Sequence, residues 1–348
     1  MSPTRLLVAV LADPQAAPAL GPGAWQDVLT VARAELLIGS LAHRLHGLAL
    51  PPAVRAILDD ARTSAEHGRV QALWEAEMAR RALVTLGVPV VLLKGTAFVA
   101  AGLAAGQGRS IGDLDILVPR DALDAVEAAL LAAGWEWVKP DPYDHLYYRR
   151  WMHELPPLTH PERDRMIDVH HTILPLTARP TPDATALIAD SVALENGLRV
   201  PSPADMIVHA AAHLFADGDL AGGLRNLWDI DRLVREHAGD AEFPAALAAS
   251  ARRHNLIPHV ARALRLSAPI YATPMEGLPI GRARWADRLY ARRLLARDGW
   301  GRETRPALRL AFYIRSHWIR MPPLLLARHL WTKFRRGQRG TTSSDRAS

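Results

Sequence analysis

The spacing of apolar residues predicts helices at the start of the chain. Trp25, Val28 and Leu29 recur at intervals of three and one, which places them on one buried helix face. The same periodicity continues until Gly87, a residue type that commonly ends a helix. The pattern therefore predicts an N-terminal helical region, residues 1–86.

A different pattern follows, in which short apolar runs and alternating polar and apolar residues predict strands. Strands are expected at 88–93, 113–118, 135–138, 145–149 and 166–170. Between them, segments rich in alanine and leucine predict short helices. A mixed sheet with helices is therefore predicted for residues 87–180.

Helical periodicity returns after residue 180, which predicts a C-terminal helical domain, residues 181–300. Residues 301–348 combine arginines with large apolar side chains. They are predicted to form one or two basic amphipathic helices broken at Pro322 and Pro323, followed by a disordered tail. The predicted fold class is α+β, a small mixed sheet with helical regions before and after it.

Composition and charge narrow the classes of function. The 348 residues include no cysteine, which excludes a disulfide scaffold, a cysteine nucleophile and an iron–sulfur cluster. Residues 292–348 carry fourteen Arg or Lys against three Asp or Glu, within a chain of net charge +6. Such a segment is typical of a solvated helix, and it could also contact an anionic membrane surface or a nucleic acid. No uninterrupted apolar stretch of membrane-spanning length and no leader is evident, so a cytoplasmic location is expected.

Two aspartates on the strand predicted at 113–118 are the first candidates for chemistry. Asp113 and Asp115 are two residues apart, so their side chains share one face of a strand at a spacing of roughly 6–7 Å. Asp168 lies on the strand predicted at 166–170. Three such carboxylates suit Mg²⁺ or Mn²⁺, which prefer oxygen ligands. The alternative is that these aspartates face water on strand edges.

The turn after the first predicted strand is a candidate for binding phosphate. Lys94, Gly95 and Thr96 stand between a strand and a helix, where a glycine lets backbone N–H groups approach an anion. The spacing is not that of a Walker A loop. Arg109 precedes the paired aspartates and is a further candidate for contacting a triphosphate.

Four other residues are candidates for contacting substrate. His170 shares a strand face with Asp168, and His153 lies before a Leu-Pro-Pro turn. His213 follows His209 by one helical turn, and the pair could pack against the sheet or contact a nucleotide. Arg225 could contact a nucleotide or form a helix salt bridge with Asp229, four residues later.

The sequence 92–96 followed by the sequence 109–118 resembles the nucleotidyltransferase superfamily that is similar to polymerase β. More narrowly, these segments together with 153–158, 167–171 and 224–229 resemble an uncharacterised bacterial nucleotidyltransferase-like family found near surface-polysaccharide and modified-peptide gene clusters. Thr96 stands where the superfamily has serine, and it keeps the hydroxyl group.

The resemblance implies a metal-dependent enzyme that transfers a nucleoside monophosphate from an NTP, with ATP the expected substrate, and releases pyrophosphate. It implies Asp113, Asp115 and Asp168 as metal-binding catalytic residues. The acceptor stays open among a sugar phosphate, a peptide and a protein, and nucleic acid is not the expected partner. The alternative is a module that binds a nucleotide or a partner without turnover.

Overall fold

The computed structural model of the protein describes residues 1–320. Fourteen α-helices are present in this part of the chain: α1 Pro3–Ala12, α2 Pro22–Ala34, α3 Ile38–Arg44, α4 Pro52–Leu83, α5 Lys94–Ala100, α6 Leu123–Ala132, α7 Pro142–Trp151, α8 Ala184–Ala189, α9 Pro203–Ala212, α10 Gly223–His237, α11 Phe243–Arg253, α12 Ile257–Tyr271, α13 Asp287–Leu294 and α14 Pro306–Arg320. The strands are β1 Val91–Leu92, β2 Leu114–Leu117, β3 Glu136–Trp137, β4 Leu158–His160, β5 Arg165–His170, β6 Val192–Ala193 and β7 Arg199–Val200.

The seven strands form one mixed sheet in the order β3-β4-β5-β2-β1-β7-β6. The two central strands, β2 and β5, are parallel, and β1 lies antiparallel to β2. This arrangement, with helices before and after the sheet, confirms the predicted α+β class. The parallel central pair matters for function because it aligns the polar residues of two separate chain segments.

One continuous hydrophobic core joins the first helices, the sheet and the last helices. It includes Leu7 of α1, Ile116 of β2 and Leu264 of α12, each fully buried. The longest helix, α4, begins with proline at its first position, and the chain leaves it through Gly87 in the left-handed region at φ +64°. The domain boundaries at 86, 180 and 300 stay predictions.

The prediction of a strand at 145–149 is wrong, because these residues lie in α7. The aromatic residues of this segment favour a strand, but the local signals at its start favour a helix. Asp141 caps the helix by accepting a hydrogen bond from the backbone N–H of Tyr143 at 2.8 Å, and Pro142 occupies the first helical position. The rings of Tyr143 and Tyr147 then stack one helical turn apart.

Two further features differ from, or lie beyond, the sequence prediction. The strands β6 and β7 extend the sheet within a region predicted to be helical, since β7 pairs in parallel with β1.

In the C-terminal segment, α14 matches the first predicted basic helix, whereas the predicted break at 322–323 and the disordered tail lie outside the described residues. Within residues 1–320, no helix is both long enough and apolar enough to cross a membrane.

Candidate active site

The pairing of β2 with β5 brings the three predicted aspartates together. Asp115 and Asp168 are register partners across the two parallel strands, and Asp113 directly precedes β2. Carboxylate oxygens of the three residues lie within 4.8 Å of one another. Asp115 is buried, whereas Asp113 and Asp168 are partly exposed. The site therefore opens toward solvent on one side of a buried carboxylate.

Lys94 lies against the buried carboxylate. Its Nζ is 2.6 Å from Oδ1 of Asp115. The backbone of Lys94 is in the left-handed region at φ +48°, which is uncommon for a residue other than glycine and marks a constrained position. The junction of β1 and α5 thus directs this ammonium group at the aspartates.

His170 is the second cationic partner of Asp115. Its Nε2 is 2.9 Å from the same Oδ1, and both side chains are almost completely buried. Burial alone would raise the pKa of Asp115, but the charge of Lys94 and the hydrogen bond of His170 hold that pKa well below its usual range. Burial acts to lower the pKa of His170, and its hydrogen bond with Asp115 and the charge of Glu154 hold it above its usual value.

Asp168 has the opposite electrostatic environment. Burial raises its pKa to about 7, and the negative charges of Glu154 and Asp115 add to that effect. A carboxyl group with such a pKa exchanges protons near neutral pH, which suits a general base. Asp115 is thus a fixed anion, and Asp168 is the carboxylate that can accept a proton.

The segment before β4 adds two residues to this site. The backbone N–H of Leu155 donates to the carbonyl oxygen of Val169 at 2.9 Å, which places His153 and Glu154 beside His170. Glu154 Oε2 lies 3.5 Å from Nε2 of His153 and 3.5 Å from Nδ1 of His170. His153 was predicted from sequence, whereas the role of Glu154 was missed, because no periodic signal marks this short pairing.

Arg109 and the glycine of the predicted phosphate turn contact each other. An added Cβ at Gly95 would lie 1.8 Å from Nη1 of Arg109, so only glycine fits while the guanidinium stays in place. The Nη2 of Arg109 lies 3.0 Å from Oδ2 of Asp229 on α10, and both side chains are buried. Thr96 is also buried. The guanidinium of Arg109 therefore packs against Gly95 of the turn and is connected to α10 through Asp229.

A small pocket lies on the other side of Lys94. It is lined by residues from α5, α9 and α10 and from the segment after α9, including His209, His213, Arg225 and Asn226. Burial and the charge of Lys94 lower the pKa of His213 to about 3, so its imidazole is neutral. Burial and the charge of Arg109 lower the pKa of Arg225 to about 10. A ligand beside Lys94 could therefore form hydrogen bonds with the neutral imidazole of His213 and with the cationic guanidinium of Arg225.

The backbone around this pocket is irregular. Residues His213–Asp217 form a π-helical turn, a feature often found at functional sites. Arg225 donates from Nη1 to the carbonyl oxygen of Ser110 at 3.0 Å, and Asp229 pairs with Arg109, so the helix salt bridge considered from the sequence is replaced by two longer-range contacts.

Comparison with known proteins identifies a family. A search of curated proteins found no match. A family model described as "uncharacterised nucleotidyltransferase" matches residues 21–272, which include the aspartates, the Lys94 turn and the pocket beside it. Because the match covers well over half of the chain, the protein belongs to this family of nucleotidyltransferases.

Proposed function

We propose that the protein transfers a nucleoside monophosphate from an NTP to an acceptor hydroxyl or phosphate and releases pyrophosphate. The observation that carries this proposal is the register of β2 and β5, which sets Asp115 beside Asp168 with Asp113 within reach. Membership of a nucleotidyltransferase family supports the type of reaction. A cytoplasmic location stays a prediction.

The three aspartates fit a hard divalent cation. They offer only oxygen atoms, which Mg²⁺ and Mn²⁺ prefer, and all three lie within 4.8 Å of one another. The raised pKa of Asp168, caused by burial and neighbouring negative charge, is the behaviour of a carboxylate that lacks a cationic partner. When bound, the ion supplies positive charge that neutralises the triphosphate.

The chain's own residues position the substrates. Lys94, Gly95 and Thr96 are proposed to hold the β- and γ-phosphates, and Arg109 to support that turn through Gly95. The nucleoside, with ATP the expected donor, is proposed to extend toward the pocket of His213 and Arg225. Catalysis of this kind depends mainly on positioning and charge neutralisation.

The proposed reaction balances without a redox partner. The acceptor oxygen forms a bond to the α-phosphorus, and the bond from that phosphorus to the bridging oxygen breaks, so the electron pair leaves with pyrophosphate. Asp168 is proposed to accept the proton of an acceptor hydroxyl, because its carboxylate is partly exposed on the open side of the site beside Asp113 and Asp115.

A broad groove near the starts of β2 and β5 is the proposed acceptor site. It has a volume of about 650 Å³ and lies between α4 and the loop before β2, with Arg33, Ile111 and Arg165 in its walls. Ile111 and Arg165 precede Asp113 and Asp168 by two and three residues. Arg33 and Arg165 give the groove two positive charges against the one negative charge of Asp60, which favours an acceptor with negative charge, such as a sugar phosphate or an acidic peptide.

The first experiment measures pyrophosphate release from each of four NTPs with Mg²⁺ or Mn²⁺ and a cell extract as the source of acceptor. Asp113→Asn should abolish the release of pyrophosphate. It should leave the circular dichroism spectrum unchanged, because Asp113 is partly exposed and its replacement should not disturb the fold. Asp59→Asn, on the outer face of α4, is the matched control. Release that persists in Asp113→Asn would contradict the proposal, and calorimetric NTP binding without release would instead favour a binding module.

The outer face of α14 supports a second contact, with an anionic membrane surface. Phe312 packs against Tyr290 with ring centroids 4.9 Å apart, which docks one side of the helix on the protein. Apolar side chains on the opposite side are each more than half exposed: Leu310, Tyr313, Ile314 and Trp318. Because the surrounding sequence is strongly basic, a surface of anionic lipid headgroups is the partner whose chemistry fits this face.

A further inference from the structure

A second group of metal-ligating side chains lies next to the aspartates and has a different chemistry. His153, Glu154 and His170 each offer one ligand atom, and these atoms lie within 4.8 Å of one another. The set contains two imidazoles and one carboxylate, whereas the aspartates offer oxygen alone. The proposed nucleotidyl transfer does not use this group as ligands.

The buried nitrogen of His170 points to a missing partner. The side chain of His170 is 2% exposed, and its Nε2 is engaged with Asp115 at 2.9 Å. Its Nδ1 is buried without a hydrogen-bond partner, 3.5 Å from Oε2 of Glu154. A buried imidazole nitrogen without a partner is unusual, because buried polar atoms are nearly always satisfied.

The contact with Asp115 also prepares His170 as a ligand. While Nε2–H donates to the carboxylate of Asp115, Nδ1 can give up its proton and offer the lone pair that a metal ion needs. Imidazoles that bind metals commonly donate their other N–H to a carboxylate in this way. His153 also has a buried nitrogen without a partner, its Nδ1, while its Nε2 lies 3.5 Å from Oε2 of Glu154 and its side chain is 12% exposed.

The balance of charge favours a cation at this position. His170 acts electrostatically on four carboxylates, those of Asp115, Glu154, Asp168 and Asp217, and Lys94 acts on three of them. A cation held between Glu154 and the two histidines would reduce this surplus of negative charge.

We propose that His153, Glu154 and His170 bind a divalent transition metal of the zinc class. Two imidazole nitrogens with one carboxylate select such an ion over Mg²⁺, because nitrogen ligands favour borderline metals. The bound ion would fix the ring of His170 and, through its Nε2, the carboxylate of Asp115. Its role in the reaction would therefore be positioning, carried out beside the carboxylate site.

The test uses tag-free, full-length protein freed of metal by a chelator and titrated with Co²⁺ in excess Mg²⁺. Co²⁺ reports its ligands through its visible absorbance, and excess Mg²⁺ occupies sites made of oxygen alone. We expect one strong equivalent of Co²⁺ in the wild type, and a loss of affinity of at least about tenfold in Glu154→Gln and His153→Gln. His145→Gln is the matched control, because His145 forms a similar pair with Glu127 at 3.2 Å, and within residues 1–320 this pair belongs to no group of three metal-ligating side chains.

Asp113→Asn separates this inference from the proposed function. This variant should lose pyrophosphate release and keep the Co²⁺ absorbance. The inference is overturned if the folded wild type gives no such absorbance, if Asp113→Asn removes it, or if Glu154→Gln and His153→Gln leave it unchanged. Should these last variants fail to fold, anomalous scattering from zinc-soaked wild-type crystals decides the matter, with a peak expected in bonding contact with all three side chains and the absence of one counting against the site.

Discussion

Arg109 and Asp229 form a buried ion pair that joins the loop before β2 to helix α10. The Nη2 of Arg109 is 3.0 Å from Oδ2 of Asp229, and the side chains are 6% and 3% exposed. The same guanidinium lies 5.5 Å from the ring centroid of Phe98 on α5 and fills the space behind Gly95. One arginine thus connects the C-terminal helices to the turn that is proposed to bind phosphate.

Asp229→Ala is expected to destabilise the fold by about 3–5 kcal/mol, because it leaves the buried charge of Arg109 without a partner. Urea denaturation of the variant and the wild type measures the difference. The exposed pair of Arg62 and Asp59 is the control, and Asp59→Ala should cost about 0–1 kcal/mol. Equal losses in the two variants would show that burial does not govern the strength of the first pair.

Gly95→Ala is expected to cost roughly 1–3 kcal/mol and to lower pyrophosphate release, because the new Cβ would displace the guanidinium of Arg109. Gly68→Ala provides the matched control for stability. Gly68 lies inside α4 with no atom within 4 Å of an added Cβ, so this change should stabilise the fold by about 0.5–1 kcal/mol. A stabilising effect at both positions would mean that Arg109 moves aside at no cost.

The convergence of the aspartates could be predicted from sequence, whereas the identity of their neighbours could not. Strand periodicity alone sets Asp113 and Asp115 on one face, and a second alternating run carries Asp168. Glu154 gave no such signal, because it lies in a short bridge to His170 outside the named strands.

Arg109 shows a different limit of prediction from sequence. Its position before the aspartates predicted a contact with phosphate, and this role stays a prediction. The structure pairs it with Asp229, which is 120 residues away in the chain. No local pattern encodes a partner at such a separation, and the same holds for β7, which joins the sheet through β1.

Lys94→Met is expected to reduce the rate constant of pyrophosphate release by about 10²-fold, since it removes the charge that is proposed to hold the reacting phosphates. Lys139→Met is the control, because Lys139 is the other lysine of the described residues and is exposed. Steady-state kinetics on folded protein, with the folded fraction measured by thermal denaturation, separates catalysis from stability. If the variant is less stable but keeps the wild-type rate constant, the role of Lys94 is limited to neutralising the buried charge of Asp115.

His259 is expected to make the fold sensitive to acid. Burial and the charge of Arg262 lower its pKa to about 4, and its Nδ1 is buried without a partner. In the unfolded chain His259 has a pKa near 6.5, so it binds a proton more readily there than in the folded protein. The contribution of neutral His259 to the free energy of unfolding is therefore complete above pH 6.5 and is lost as the pH falls toward 4. The slope is at most about 1.4 kcal/mol per pH unit. His259→Gln should flatten the decline of the free energy of unfolding between pH 6.5 and 5, and a decline as steep as that of the wild type would assign it to other histidines.

The exposed apolar face of α14 predicts binding to vesicles that contain anionic lipid. Cosedimentation with vesicles of phosphatidylcholine and phosphatidylglycerol should exceed that with phosphatidylcholine alone, and it should fall as salt rises, because arginines near the face are attracted to the headgroups. Replacing Ile314 and Trp318 by serine should abolish binding, since both side chains are more than half exposed on that face. Trp300→Ser is the control, because Trp300 is 74% exposed and lies outside α14. Equal loss in the control would mean that exposed tryptophan in general, and not the ordered face of α14, is responsible for membrane contact.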